Sequence, residues 1–355
     1  IVYANMISAS DEVVFDGGSF AVDAKGNAIV ELKRFETDFA VIDIEIDLDN
    51  QPRIPENVVD EKVDVSALNV DEIFEPYEAY NVVKLGLKEF INSIGDGKSH
   101  VVIGLSGGVD SALVATLAVD ALGVERVHGV LMPSKYTSDE SNLLAEKVAK
   151  NLGITYESFS IEDLHDATVK VFNLDQHESI VSENIQSRLR GITLMMLSNS
   201  KGWLPLATGN KSETSVGYCT LYGDTVGAFA PIKDIYKTQV FQLCEFRNTS
   251  NDFEIKNPIP QEIIDREPTA ELRENQTDSD SLPTYEILDA ILIAYVDADN
   301  SIDEIVAMGY EKDIVVRIIS LVNNSEFKRK QSPVGTRLTR HNFGLGRRIP
   351  ISAKY

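Results

Sequence analysis

The stretch from Val101 to Leu122, VVIGLSGGVDSALVATLAVDAL, constrains this chain more than any other. An apolar run leads into Gly104-Leu105-Ser106-Gly107-Gly108-Val109-Asp110-Ser111, and a helical pattern begins at once. Leu113, Leu117 and Ala121 fall on one line, with Val114, Ala118 and Leu122 beside it. The pattern predicts a buried strand, a glycine turn, and a helix whose N-terminus faces whatever sits above the turn. Glycines let backbone approach a ligand closely and leave N–H groups pointing outward, and the helix dipole adds partial positive charge at the same place. Such a device binds phosphate. Ser106 and Ser111 bring hydroxyl donors, and Asp110 is suited to a metal that bridges phosphates. Taken alone, Gly-Gly after a strand is equally a tight connection into a helix. The full SGGxDS string is more specific, and it is neither a GxxxxGK[ST] loop nor a GxGxxG turn.

The rest of the chain supplies the matching architecture. With 355 residues it is long enough for a large core and about two domains, and 43% hydrophobic residues is ordinary for a globular protein. A helix is expected from about 76 to 94, with Tyr80, Val83, Leu87 and Ile91 on one face. Strands at 126–131, 155–159 and 203–207 alternate with helices at 139–152, ending at Gly153, and at 183–200. Strands separated by helices imply parallel pairing, hence an α/β fold with a doubly wound parallel sheet, where ligands sit at the carboxyl ends of strands. Residues 1–48 read differently, as a β-rich segment: short strands surround Gly17-Gly18, and further strands are expected at 28–32 and 39–44. Residues 49–75 hold Pro52, Pro55 and many acids without periodicity, and read as a linker. The expected division is therefore 1–48, 49–75 and 76–355.

Charge and cysteine content narrow the function. A formal net charge of -23 argues against nucleic acid or an anionic membrane as partner. No apolar run reaches the roughly 18 residues that a membrane span needs. With Cys219 and Cys244 alone there is no disulfide framework, and a cytoplasmic location is the simple reading. Both thiols read as packed apolar groups, and the five histidines lack metal-ligand spacing. Anionic small molecules are compatible with the charge provided that basic residues gather locally. Phe327 to Tyr355 does gather them: Lys328, Arg329, Lys330, Arg337, Arg340, Arg347, Arg348 and Lys354, with no acid. That tail either closes over anions or is a solvated or oligomer-contacting surface.

A second constellation follows the strand at 203–207: Thr208-Gly209-Asn210-Lys211-Ser212-Glu213. Glu213 is a residue type that can ligate the same metal as Asp110, and two carboxylates with phosphate oxygens and water suit octahedral Mg²⁺. By itself Glu213 is better explained as a favourable charge in a first helical turn, worth under ~1 kcal/mol.

The loop GLSGGVDS resembles the pyrophosphate loop of the N-type ATP pyrophosphatases, which split ATP into AMP and pyrophosphate. Together with ATGNKSETSVGYCTLYGDTVGAFAPIKDIYKTQV, ENIQSRLRGITLMMLSN, REPTAELRENQTDSDSLPTYEILD and FKRKQSPVGTRLTRHNFGLGRRIPI, it resembles the glutamine-dependent NAD⁺ synthetases. The likeness runs from about residue 76 to the end, and DEVVFDGGSFAVDAKGNAIVELKRFETDFAVIDIE is similar to the close of a nitrilase-like amidase domain. The resemblance implies ATP-dependent amidation of deamido-NAD⁺ through an acyl-adenylate, with release of AMP and pyrophosphate. Ammonia would come from glutamine, and homodimers or larger homo-oligomers are implied. Carried onto this chain, Gly104, Leu105, Ser106, Gly107, Gly108, Val109, Asp110 and Ser111 would hold ATP phosphates. Asp110 and Glu213 would ligate Mg²⁺. Thr208, Lys237 and Thr269 match positions that contact ATP, with Asp110 and Lys237 serving the chemistry, while Arg188 and Lys328 match positions that contact deamido-NAD⁺.

Two departures bear on that reading. Ammonia-dependent relatives carry a lysine before the Tyr-Gly-Asp and an aspartate after it, where this chain has Leu221 and Ala228. The nitrilase-like glutaminase uses a Glu-Lys-Cys triad, and no cysteine precedes Cys219. The sequence is therefore expected to be a piece of a longer enzyme, able to use free ammonia. Related ligases with the same loop, of the GMP or asparagine synthetase type, and a nucleotide sensor without chemistry are the competing readings. TGNKSE and YGD argue against the first. Retention of Asp110, Glu213 and a cluster of lysines argues against the second.

Overall fold

A computed structural model describes residues 1–23, 25–43, 74–174, 180–273 and 282–352. The chain divides into two units, one of Ile1–Ile7 with Phe15–Glu75 and one of Ser8–Val14 with Pro76–Tyr355. Within the first, β1 (Val2–Tyr3), β4 (Phe20–Val22) and β5 (Ala28–Glu31) form an antiparallel sheet in the order β1-β4-β5. The β4–β5 turn is tied by Asp23, whose Oδ1 accepts from Lys25 N and Asn27 N at 2.8 and 2.9 Å. The Gly17-Gly18 turn also forms, with φ of 78° and 60°. It does not make a hairpin, because β3 (Val13–Asp16) pairs with β2 (Ile7–Ser10).

The strand expected at 39–44 is a correction. Residues 39–43 have no strand partner among the described residues, and Phe39 and Val41 are 85% and 88% exposed. Alternating apolar residues make a strand only where a neighbouring edge accepts their backbone groups. Ile44 and residues 49–73 of the expected linker lie outside the described residues.

The larger unit is built on a four-stranded parallel sheet of order β8-β7-β6-β9. Its strands are β6 (Val101–Gly104), β7 (Val127–Leu131), β8 (Thr155–Ser158) and β9 (Leu204–Pro205). The expected strand 203–207 is only partly ladder, although Leu206 continues it through a parallel bridge to Phe229. Arg126, expected in β7, sits instead in a short turn of helix, Val124–Arg126, and its guanidinium donates to Ser99 O and Asn92 Oδ1. The order places β6 centrally, with β7 and β8 on one side and β9 on the other. The chain thus reverses its winding direction next to β6, a crevice where open α/β sheets bind ligands.

Helices cover both faces. Val102 and Val130 pack with Leu194 and Leu197 of α5 (Ile180–Lys201), while alternation turns Val101 and Ile103 to the opposite face. There α2 (Val109–Leu122) packs on β6 and β7 and against α1 (Pro76–Ser93) and α7 (Lys237–Thr249). The apolar stripe of α1 is fully buried at Tyr80, Val83, Leu87 and Ile91, as its periodicity predicts. Helix α3 (Asp139–Leu152) ends where expected, at Gly153 with φ 72°, and α4 (Glu162–Val171) follows β8. A second core joins Val216 and Tyr236 to α9 (Tyr285–Leu292), α11 (Lys312–Asn324) and the wide turn Ile293–Asp297. Short helices α6 (Lys211–Val216), α8 (Gln261–Asp265), α10 (Ile302–Ala307) and α12 (Glu326–Arg329) complete the unit. No helix among the described residues is long and apolar enough to cross a membrane.

One buried cluster fixes the far end of α2. Arg247 Nε and Nη2 donate to the two oxygens of Asp120 at 2.5 and 2.9 Å, and Tyr80 Oη donates to Asp120 Oδ2 at 2.5 Å. This fork ties α1, α2 and α7 together. Replacing Arg247 with Ala strands a buried carboxylate and is expected to cost about 3–5 kcal/mol. Replacing Lys147, which meets Glu262 at the exposed surface, is expected to cost under about 1 kcal/mol. Urea denaturation of the two variants checks the difference.

Candidate active site

The glycine turn takes the shape its sequence predicts. β6 ends at Gly104, and α2 starts at Val109 with Gly108 as its N-cap and no side chain capping its first N–H groups. Those donors are left for a ligand. Gly107 has φ 80°, and a Cβ there would overlap the backbone of Ser141 on α3. The turn thus lies closely against the start of a second helix. Ser106 and Ser111 bond each other at 3.1 Å, Gly108 N donates to Ser106 Oγ, and Ser111 Oγ donates to Gly108 O. Ser106 faces outward, whereas Ser111 is buried and spends its hydroxyl within the turn.

The second constellation arrives beside the first. Asn210 caps α6 in a capping box, its Oδ1 accepting from Glu213 N at 3.0 Å while Glu213 Oε2 accepts from Asn210 N at 3.4 Å. Glu213 therefore serves the helix terminus and still turns its other oxygen outward. The ammonium of Lys237, at the first position of α7, lies 2.5 Å from Asp110 Oδ2 and 3.4 Å from Glu213 Oε1. Asn210 Nδ2 donates to Asp110 Oδ1 at 2.9 Å. Asp110 and Glu213, about a hundred residues apart in sequence, thus face one cationic point. Lys237 itself is held from behind: its backbone N donates to Ser212 Oγ, which donates to Asp289, and Asp289 also accepts from Thr238 N and Oγ1.

A pocket of about 320 Å³ opens over these groups. Each residue from Gly104 through Ser111 lines it, as do Thr208, Glu213, Lys237 and Thr269. Thr269 Oγ1 accepts from Glu271 N at 3.3 Å. A hard divalent cation fits this donor set, since Asp110 and Glu213 present carboxylate oxygens to one positively occupied point. Among the described residues no group of three or more His, Cys, Asp or Glu could form a closed metal cage. A cation here would take its remaining ligands from water and phosphate.

Two residues matched to the deamido-NAD⁺ side lie elsewhere. Arg188 is exposed, and its Nε donates to Leu221 O at 3.2 Å. Lys328 spends its ammonium on the carbonyls of Gly217 and Cys219, both at 2.7 Å. Neither lines the pocket. The basic tail is likewise largely committed to its own fold: Arg329 pairs with buried Glu326, and Arg337 donates to the carbonyls of Thr339 and Arg340. Arg347 lies 3.5 Å from Asp299.

Other residues in the pocket lie outside the set expected at the site. Arg190, two positions from Arg188, lines it, with Nε donating to Met132 O at 3.1 Å. Burial pushes its guanidinium down to about 10, against the opposing pull of Glu271, and it stays charged at neutral pH. Glu271, at φ 47°, accepts from Ser138 and Ser141 on the start of α3 and from Arg266. The serine-acid pattern carries no periodic signal that would have revealed this junction. Cys219 also lines the pocket, yet burial and then Asp224 push its thiol up to about 12, and burial raises Cys244. Neither offers a thiolate nucleophile.

The close approach at Gly107 gives a direct check. Gly107→Ala introduces strain at positive φ and a clash with Ser141 backbone, so nucleotide affinity is expected to fall by about tenfold or more, with a loss of roughly 1–3 kcal/mol in stability. Calorimetric titration with ATP and thermal melting read the two effects separately.

Comparison with known proteins fits this geometry. The family model described as NAD synthase matches residues 79–332. A glutamine-dependent NAD(+) synthetase from Rhodobacter capsulatus is 43% identical over 359 residues, covering 99% of this chain and 62% of that protein. Among solved structures, glutamine-dependent NAD⁺ synthetase from Acinetobacter baumannii in complex with ADP is 36% identical with a TM-score of 0.62, covering 99% of this chain and 61% of its own. NMN synthetase from Francisella tularensis is 27% identical with a TM-score of 0.60, covering 72% and 96%. The chain spans under two thirds of the length of the glutamine-dependent relatives. With the family model covering most of the larger unit, the chain belongs to the NAD synthase family.

Proposed function

We propose that this chain catalyses the ATP-dependent amidation of deamido-NAD⁺ to NAD⁺, as a carbon–nitrogen ligase. The observation that carries the reading is the shared ammonium: Lys237 joins Asp110 and Glu213 beside the uncapped N-terminus of α2, inside one pocket. In the first step a nicotinate carboxylate oxygen attacks the α-phosphorus of ATP, and the bond to the β-phosphate oxygen breaks to release pyrophosphate. In the second, ammonia attacks the acyl carbon and AMP leaves. The protein forms no covalent bond to substrate, and neither thiol is ionised to do so.

The work of the chain is charge placement. The N–H groups from Ser106 to Ser111 would cradle ATP phosphates, and Lys237 would face the negative charge that gathers on the leaving pyrophosphate. Thr208 and Thr269 line the same pocket and would orient the nucleotide. Asp110 and Glu213 are the residues to hold Mg²⁺. The cation would supply Lewis-acid neutralisation of the phosphate oxygens. Arg188 and Lys328 belong to the deamido-NAD⁺ side in this reading. Both donate to carbonyls of one loop, Arg188 to Leu221 and Lys328 to Cys219, and Cys219 lines the pocket, which supports a dinucleotide reaching the pocket along that loop.

The β-rich segment at 1–48 is read as the end of a nitrilase-like domain and 76–355 as the synthetase domain, with glutamine as the nitrogen source in an enzyme of the relatives' length and ammonia for this chain. Two free thiols go with a reducing cytoplasm. Exposed Ile192, Met195 and Met196 on α5 support an assembly of copies.

Deamido-NAD⁺-dependent exchange of labelled pyrophosphate into ATP tests the reading, followed by turnover with ammonia. Exchange that requires both the dinucleotide and Mg²⁺ is the expected result. A folded chain that binds ATP but shows no such exchange contradicts it. Asp110→Asn keeps the shape of the side chain but removes its charge, and is expected to lower exchange by about 100-fold or more. Exchange at the wild-type rate would remove Asp110 from the chemistry.

A further inference from the structure

We infer that Asn210 is a positioning residue for the reaction: its side-chain amide sets the Asp110 carboxylate while capping the helix that carries Glu213. The inference rests on the functional reading above and extends it to a residue that touches neither substrate in that scheme.

Asn210 is completely buried at the junction between β9 and α6. The two ends of its amide do different things. Oδ1 accepts from Glu213 N at 3.0 Å, which is ordinary capping. Nδ2 donates to Asp110 Oδ1 at 2.9 Å, which capping does not need. The orientation is forced by chemistry. A flipped amide would set an oxygen against the Asp110 carboxylate and an NH₂ against the Glu213 N–H, losing both bonds.

One side chain therefore connects the first turn of α2 with the first turn of α6. Asp110 receives two donors of different kinds, the neutral amide on Oδ1 and the Lys237 ammonium on Oδ2. A lysine ammonium on a flexible stem fixes distance poorly, whereas a buried amide capping a helix has no freedom to follow a rotating carboxylate. The backbone of Asn210 adds a third constraint. Its N–H engages Glu213 Oε2, which leaves Oε1 for Lys237. Both carboxylates are thus aimed from the same residue.

Capping alone is served as well by Ser or Asp as by Asn, so substitution separates the two roles. Asn210→Ser keeps an acceptor for Glu213 N but is too short to reach Asp110. Asn210→Asp keeps the acceptor and replaces the donor with a like charge. Ser301→Ala supplies the comparison for capping only, since Ser301 closes an equivalent box at α10 away from the pocket. The whole chain is assayed in three ways: thermal melting, pyrophosphate exchange resolved into kcat and KM, and Mn²⁺ binding in the presence of a non-hydrolysable ATP analogue, followed by electron paramagnetic resonance.

Asn210→Ser is expected to melt no lower than Ser301→Ala, yet to lose about tenfold in kcat and in Mn²⁺ affinity, the scale of a hydrogen bond to a charged group. KM for deamido-NAD⁺ should stay within about twofold. Asn210→Asp should lose more in both, and Ser301→Ala should lose neither. If Asn210→Ser or Asn210→Asp matches wild type in exchange and Mn²⁺ affinity, or loses no more than Ser301→Ala does, the inference is overturned. The Mn²⁺ titration needs no turnover. A wild-type chain that binds Mn²⁺ with the analogue but does not exchange defeats the functional reading, while the titration still decides the role of Asn210. A wild-type chain that fails to bind Mn²⁺ with the analogue overturns the inference directly.

Discussion

The site depends on one ammonium held between two carboxylates. Asp110 and Glu213 close together would repel, and in a partly buried setting that repulsion is weakly screened. Lys237 offsets it, at 2.5 Å from one and 3.4 Å from the other. Because the three residues sit on α2, α6 and α7, the ion cluster also fixes how three helix N-termini converge. Breaking it from any side would leave an uncompensated charge near the glycine turn.

The same helix α7 grips α2 twice. Lys237 meets Asp110 in the first turn of each helix, and Arg247 meets Asp120 ten residues further along both. Two ion pairs about 15 Å apart on parallel helices fix rotation and axial register together. The outer pair is buried, bidentate and reinforced by Tyr80, and it is remote from the pocket. It reads as the structural anchor that lets the inner pair respond to ligand without the helices sliding. Asp289, through Thr238 and Ser212, performs a related service between α6 and α7.

Much of this was legible in the sequence, for specific reasons. The strand, glycine turn and helix at 101–122 announce themselves because hydrophobic period, glycine placement and an acidic first turn agree at one place. Gly153 marks the end of α3 because only a residue tolerant of positive φ closes a helix there. The union of Asp110 with Glu213 came from family likeness, since no periodicity links residues so far apart. Arg188 and Arg190 show where local reasoning stops. Two residues apart on a helix they point in nearly opposite directions, and only the packed partner of α5 decides that Arg190 faces the pocket. The strand expected at 39–44 failed for a similar reason: alternation describes a surface but cannot supply the neighbouring edge.

In the proposed reaction Asp110 and Glu213 would hold a metal completed by ATP phosphate, and Lys237 would turn from the two carboxylates to the nucleotide. A crystal structure of the chain with Mn²⁺ and a non-hydrolysable ATP analogue tests it most directly, using anomalous scattering to locate the metal. The expected result is one Mn²⁺ peak coordinated by both carboxylates and by phosphate oxygen, with the Lys237 ammonium moved onto the nucleotide. A Mn²⁺ bound to neither carboxylate, with Lys237 still bridging Asp110 and Glu213 beside bound nucleotide, would contradict it.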